Sequence, residues 1–285
     1  MKVHRLVIDA GFTCPNREQG TACIFCDPTG SGFNTFHNLP IREQVIKQRE
    51  WAMAKYKAQK FIVYFQAFSN TYAPVEILRD RYEEALVDES IVQLAVSTRP
   101  DCVAEPVLEL LESFRKKVDV SLELGLQTTN IETLRKISRG HGLAEFIDAV
   151  LRAKKHKLEI VVHVIVDLPW DRIEDVVETA RILSVLGVDG VKVHSLYVVK
   201  GTELERLLKT GQIELLSFDD YKERVVRFLE NLSPEIVIHR LASDPPKEMT
   251  AVGNWGMSKL EIVEQIEKEL ANRNTFQGKM WKEWQ

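Results

Sequence analysis

A chain of 285 residues with 45% apolar composition can bury a full core, and its length falls within the range of one α/β barrel domain. A net charge of -4 and a pI near 6.0 give no global cationic field, so strong non-specific nucleic-acid binding is not expected. Four cysteines are too few for a disulfide scaffold, and neither the N-terminal MKVHRLVIDA nor any apolar run reads as a signal peptide or membrane span, so a cytoplasmic protein with no membrane partner is expected.

Val3 to Asp9 reads as a short strand that delivers the chain into CPNREQGTACIFC, residues 14 to 26. This loop crowds Cys14, Cys23 and Cys26 together, with eight residues between the first two and two between the last two. Thiolate is a soft ligand, and Cys-x-x-Cys spacing lets two sulfurs reach one metal centre from a single turn. Four thiols would saturate a cubane or a structural zinc, whereas three leave a position open to something the protein does not supply.

After Gly30, Ser31 and Gly32, which mark a flexible connection, Ile41 to Lys57 has a helical pattern. Phe61 to Ala67 is a β-branched and aromatic run expected of a strand covered on both faces, and Pro74 then opens a helix at a position where its missing N–H costs nothing. Ile91 to Thr98 is a strand, followed by a helix that buries Val107, Leu110, Leu111 and Phe114. Val118 to Gly125 is the next strand, and Leu143, Phe146, Ile147 and Val150 line the helix after it. Glu159 to Leu168 is a strand whose partner helix carries Ile173, Val176, Val177, Ala180 and Leu183, and Gly190 to Val198 is a further strand. Glu214 to Leu232 reads as helix, Glu235 to Leu241 as a last short strand, and Lys259 to about Asn272 as helix. Six strand-then-helix units with short connections favour parallel strands and right-handed crossovers. Periodicity does not separate a partial barrel from a doubly wound sheet.

The cysteine loop resembles the cluster loop of radical S-adenosylmethionine (SAM) enzymes, with the longer first spacing of the branch that contains the Elp-type tRNA-modifying enzymes. AGFTCPNR, FQAFSNTYAP, TRPDC, ELGLQT, GVDGVK, VIHRL and QGK occur in that order between Ala10 and Lys279 and carry a likeness along the chain to YhcC/YtqA-type proteins of that branch. The resemblance implies an α/β fold, a partial (βα)6 TIM-type barrel with an α-rich C-terminal extension. Residues 1–197 would be the core, and 198–285 an extension packed on it in the same structural unit.

It also implies that Cys14, Cys23 and Cys26 hold three irons of a [4Fe-4S] cluster, with SAM on the fourth. Reductive cleavage of SAM would then give a 5'-deoxyadenosyl radical that takes hydrogen from substrate. Barrel enzymes gather reactive groups at strand C-termini, and the candidates there are Gln66 for the SAM amino group, Thr98, Arg99 for a carboxylate, Glu123 for the ribose hydroxyls, Gln127 for the SAM carboxylate, and His163. Phe25 stands where an aromatic packs near the adenine. For each the alternative is a structural role: a core anchor for Phe25, an ion pair with Asp101 for Arg99, a hydrogen-bonded core histidine for His163.

His239, Arg240 and Asp244 are candidates for substrate contact, against docking of the extension. Trp255, Trp281 and Trp284 are weighed as base-stacking groups against simple packing. The cluster Arg152, Lys154, Lys155 and Lys157 is weighed as a tRNA contact against a solvated helix end of favourable dipole sign. Cys102 reads as a small buried hydrophobe. Asp167 and Trp170, where relatives read glycine, are expected to stand at the mouth and alter access. The substrate implied is the C5 side chain of the tRNA wobble uridine, carboxymethylaminomethyl to aminomethyl, with an electron donor such as flavodoxin or ferredoxin. The rivals are a radical SAM enzyme acting on a small molecule or a protein, and a structural zinc protein in which His37 or His4 completes the site.

Overall fold

The computed structural model describes residues 2–30, 32–33 and 35–281 of the chain; Ser31 and Trp284, named above, lie outside them. In chain order the elements are β1 (Val3–Ile8), α1 (Pro15–Glu18), α2 (Ile41–Tyr56), β2 (Lys60–Phe65), α3 (Val75–Ala85), β3 (Ile91–Thr98), α4 (Glu105–Phe114), β4 (Asp119–Gln127), α5 (Ile131–Lys136) and α6 (Leu143–Lys155). They continue as β5 (Glu159–Ile165), α7 (Ile173–Leu186), β6 (Gly190–His194), β7 (Val198–Val199), α8 (Glu203–Lys209), α9 (Phe218–Asn231), β8 (Val237–Arg240), β9 (Thr250–Val252) and α10 (Lys259–Asn272).

One seven-stranded sheet has the order β1-β2-β3-β4-β5-β6-β8. A doubly wound sheet reverses its strand order at a switch point. This order never reverses, which is the topology of a barrel wall. The late strand Val237–Arg240, foreseen as a strand but given no place, pairs parallel with β6.

The chain divides into two compact units: Met1–Thr21, Pro28–Gly125 and Asp148–Ile160 form the first, and Ala22–Asp27, Leu126–Ile147 and Val161–Gln285 the second. In the first unit, alternation along the strands sorts two faces. Leu6, Ile8, Val63, Phe65, Leu94, Val96 and Leu122 are wholly buried, and parallel pairing places Arg5, Ile62, Gln93 and Asp119 in one row of the opposite face. Phe61 to Ala67 is therefore not uniformly apolar in its surroundings: Tyr64, on that second face, carries the Arg5 guanidinium 4.4 Å from its ring centroid.

The exposed edge of β1 is closed by glutamines of α2. Gln44 accepts from Asp9 N at 3.0 Å and donates to Asp9 O at 2.8 Å, while Gln48 accepts from Val7 N at 2.8 Å. These amides stand in for a neighbouring strand and block edge pairing. Pro74 proves to be the N-cap of α3, one residue before the helical position expected for it.

In the second unit, α9 starts at Phe218 and not at Glu214, because Ser217 and Asp220 form a capping box there. The S-x-x-D signal was present in the sequence, but the apolar residues before it masked the boundary. Ser217→Ala is expected to cost about 1 kcal/mol of stability in chemical denaturation. Helices α5 and α8 and the antiparallel pair β7–β9 were not foreseen. The first two are short, seven residues at most, and the pair depends on a partner about 50 residues away. The strand expected from Gly190 to Val198 ends at His194, and Val198–Val199 pairs instead with β9.

Among the described residues no helix is long and apolar enough to cross a membrane.

Candidate active site

In the first unit, Cys14 is the N-cap of α1, and Pro15 begins the helix where no backbone donor is needed. Thr21 closes the turn onto the Asn16 carbonyl, with its N at 2.8 Å and its hydroxyl at 2.9 Å. The loop is then tied to the end of β3. Buried Arg99 donates to the Asn16 side chain and makes a forked pair with Asp101, Nε to Oδ1 at 2.9 Å and Nη2 to Oδ2 at 2.6 Å. The structure thus places Arg99 in the Asp101 ion pair weighed above and, through Asn16, two residues from Cys14.

Thr98 is buried, with its hydroxyl 2.6 Å from that of Thr71, whose own proton goes to the Cys102 carbonyl at 2.7 Å. Gln66 follows β2 and donates its backbone N–H to Ile8 O at 3.2 Å. Glu123, wholly buried on β4, accepts from Arg5 Nη1 at 2.8 Å. Burial works against the Arg5 charge, but Glu123, aided by Tyr64, outweighs it and the arginine pKa is raised. His4, a possible zinc ligand, is stacked on Tyr56 at 4.8 Å and meets Trp51 edge-on, while His37 is exposed. Arg152 of the basic cluster pairs with Asp148 at 2.7 Å and caps the Val103 carbonyl at 2.6 Å, which is a structural use of its charge.

The second unit holds the Cys-x-x-Cys half of the loop. Cys26 N donates to Cys23 O at 2.9 Å, closing the turn. Between the cysteines, Ile24 N bonds Ile137 O at 3.1 Å and Ile24 O accepts from Leu204 N at 2.9 Å, so α5 and α8, the two missed helices, grip the loop from its two sides. Ile24 lies in an apolar cluster with Leu134, Ile137, Leu168, Leu196 and Leu204, and Phe25 and Trp170 pack partly buried against it.

Arg139 Nη1 donates to Cys23 Sγ at 3.7 Å. Sequence reading passed over this arginine, since nothing local joins it to a cysteine 116 positions away.

None of the four cysteines is in a disulfide. Within the second unit, a tight turn and two soft donors, Cys23 and Cys26, fit the Cys-x-x-Cys half of an iron–sulfur site, which these two residues would help to hold.

Asp167, two residues past the end of β5, is closed to solvent. It is 4% exposed and accepts from Leu196 N through both oxygens, at 2.8 and 3.1 Å, shaping the turn that follows β6. Burial, only partly offset by that hydrogen bond and by Arg224, raises its pKa to about 7. A carboxyl whose folded pKa lies above its unfolded value favours folding most below the unfolded value and loses that contribution as pH rises through the folded one. Thermal stability of the chain is thus expected to decline from pH 5 to pH 8. Asp167→Asn, which keeps an oxygen for Leu196 N, is expected to flatten that slope in melting curves.

Gln127 ends β4 in the left-handed region, at φ +75°, a strained conformation for a side chain that is not glycine. His163 stacks on His194, with centroids 5.2 Å apart and planes at 29°. Arg240 Nη2 lies 2.8 and 2.6 Å from the two ring nitrogens of that same His194. The structure thus joins His163 to Arg240 through a residue that sequence reading did not single out. His239 is exposed, and its ring occupies the space a Cβ on Gly190 would need. Asp244 is exposed and acts electrostatically on Lys259, as does Arg240. Tyr197 is pushed up to about 12 by burial, with Asp27 and Cys26 adding to the shift and Arg240 opposing it. Trp255 packs on Tyr221 and Phe218 and donates to Leu216 O at 2.9 Å, a structural role and not a stacking platform.

Residues 10–210 match the model of the radical SAM superfamily, and residues 188–272 that of the radical SAM C-terminal domain. The chain is 37% identical to YtqA of Bacillus subtilis over 286 aligned positions, covering 98% of this chain and 88% of that one. It is 27% identical to human Elongator complex protein 3, covering 61% of this chain and 31% of that protein. Among solved structures, Methanocaldococcus infernus Elp3 superposes with a TM-score of 0.74 at 17% identity, covering 96% of this chain and 64% of the Elp3 chain. That likeness shows the α/β partial TIM-type barrel expected from the sequence. With the family model spanning most of its length, the chain belongs to the radical SAM superfamily and is an enzyme of the kind that uses a [4Fe-4S] cluster and SAM.

Proposed function

We propose that this radical SAM enzyme acts on the C5 side chain of the tRNA wobble uridine, converting carboxymethylaminomethyl to aminomethyl. The observation that carries the reading is kinship with the Elongator branch in both sequence and fold. The chain spans 31% of the length of human Elongator complex protein 3 and 64% of the Methanocaldococcus infernus Elp3 chain.

When bound, the cluster and SAM supply hydrogen-atom abstraction from an unactivated carbon. The chain's own residues then have three tasks. Cys14, Cys23 and Cys26 hold the cluster. Arg99 and Arg139 set the two halves of the cysteine loop, one through Asn16 and one at the Cys23 sulfur. The polar residues at the strand ends, Gln66, Thr98, Glu123, Gln127 and His163, face SAM and substrate, and Phe25 borders the adenine. Residues 1–197 form the radical SAM core and residues 198–285 its C-terminal extension. The electron comes from a flavodoxin or ferredoxin, and the compartment is the cytoplasm.

Mass spectrometry of tRNA nucleosides from cells with and without the gene tests the reading. Carboxymethylaminomethyluridine is expected to accumulate, and the aminomethyl form to fall, when the gene is absent. An unchanged wobble profile would refute the tRNA assignment. A small-molecule substrate is the second reading, favoured by the net charge of -4, which offers RNA no global attraction.

A further inference from the structure

The last turn of α2 and the first residues of β1 meet at one corner of the first unit. Lys57 caps the helix in the left-handed region, at φ +57°, and donates its N–H to Met53 O at 3.1 Å. The turned chain is then pinned to the start of the strand, where Lys2 O accepts from Gln59 N at 3.0 Å and from Lys60 N at 3.3 Å. This brings Lys2, Lys55 and Lys57 around an open pocket of about 420 Å³ that His4 and Tyr56 also line and no carboxylate does. The sequence shows the same bias, since neither residues 1–8 nor residues 51–75 contain an Asp or Glu. Among the described residues none of the three lysines forms an ion pair.

An aromatic cluster stands beside the pocket. His4 stacks on Tyr56, Trp51 meets both rings edge-on, and Lys55 Nζ sits 4.9 Å from the Trp51 ring centroid and 5.2 Å from that of Tyr56. Packing against the rings holds the ammonium in place without cancelling its charge. Trp51 is still 50% exposed and Tyr56 40% exposed, so both keep ring surface open to solvent. A solvated helix end would account for Lys55 and Lys57, whose charge suits a helix C-terminus. It does not account for Lys2, which comes from the strand, or for an exposed tryptophan beside the lysines.

Cations without a carboxylate partner, set against exposed aromatic rings, have the chemistry of an RNA contact, in which lysines hold phosphates and rings stack on bases. The corner lies at the start of β1, whereas Cys14 follows the other end of that strand, which is about 17 Å long over its five residue steps. The part of an RNA that docks here is therefore not the nucleotide that reacts. We propose that Lys2, Lys55 and Lys57, with Trp51 and Tyr56, form a contact for a part of the tRNA outside the wobble nucleotide. This rests on the wobble-uridine reading, and it gives RNA the local attraction that a net charge of -4 denies it globally.

The test titrates full-length tRNA bearing the carboxymethylaminomethyl wobble side chain into the full chain, reconstituted without oxygen and saturated with SAM, over a range of salt concentrations. The triple variant Lys2→Gln, Lys55→Gln, Lys57→Gln is expected to lower the slope of log affinity against log salt by about two to three. Trp51→Leu, which keeps apolar cover over the cluster, is expected to weaken binding about tenfold and leave the slope unchanged. A control triple variant at exposed lysines elsewhere, Lys116→Gln, Lys209→Gln, Lys268→Gln, lowers the net charge equally and should keep the wild-type slope. Where melting curves show the first triple variant unfolded, Lys55→Gln and Lys57→Gln are read singly, each expected to lower the slope by about one. An unchanged slope, or an equal fall in the control, overturns the proposal. So does loss of binding to phosphatidylserine vesicles with tRNA binding untouched, which would give the corner to a membrane surface. Conversion of the tRNA by the wild type with an unaltered slope in the variants defeats the contact alone. Binding that needs the three lysines but brings no conversion upholds the contact and defeats the wobble reading, whereas a wild type that neither binds nor converts the tRNA defeats both.

Discussion

Replacing Cys14, Cys23 or Cys26 by alanine is expected to take the anaerobically reconstituted protein from about four iron atoms per chain towards none and to abolish reductive cleavage of SAM. Three thiolates hold a cubane with no protein ligand to spare, so losing one opens a second position and exposes the cluster to solvent. The Cys-x-x-Cys pair is gripped through Ile24 by backbone bonds to Ile137 and Leu204, which do not depend on the thiols. The variants should therefore fold while failing to load. Cys102→Ala is the internal control. That residue is buried at the end of β3, and its carbonyl, not its sulfur, takes the Thr71 hydroxyl. It should keep the brown colour and the iron at a modest cost in stability, because only a small side chain is trimmed. Iron analysis and absorption spectra decide the matter, and full iron loading in any of the three alanine variants would overturn the ligand assignment.

Arg99→Ala is expected to be the most damaging single change outside the cysteines, costing about 3 kcal/mol or more in denaturant titration. The guanidinium is 4% exposed, and its forked pair with Asp101 and its bond to Asn16 use both of its faces. Removing it leaves a carboxylate and a buried amide oxygen without their partner, and the penalty for stranding such groups exceeds the net worth of the pair. A purely structural arginine would lower stability alone. One that also sets the Cys14 turn through Asn16 should slow cluster loading in the fraction that remains folded. Asp101→Asn separates the two effects, since it weakens the ion pair but leaves the bond to Asn16 in place. Iron incorporation measured at a temperature where both variants are folded should fall in Arg99→Ala and much less in Asp101→Asn.

The cysteine trio and the alternation of strands with helices were legible in the sequence, because each is a local pattern: thiols within thirteen residues, and apolar residues at the period of a strand or a helix. The bounds of Ile91–Thr98 and the start of the last helix at Lys259 were read to the residue, and the end of that helix was read as about Asn272, where the structure has it. Helix α9 was misplaced by a few residues because apolar spacing outweighed its own capping box.

What the sequence determined by itself is the alternation of strands with helices and a trio of cysteines at metal-ligand spacing, while the choice of a partial barrel over a doubly wound sheet came from the family resemblance. Only the tertiary structure decided that β8 joins the wall through a bulge, that Arg240 meets His194, that Arg139 reaches Cys23, and that Asp167 is buried beneath Leu196. Each of these joins residues 29 to 116 positions apart. The direction of a side chain at such a distance is set by register and burial, which no window of neighbouring residues contains.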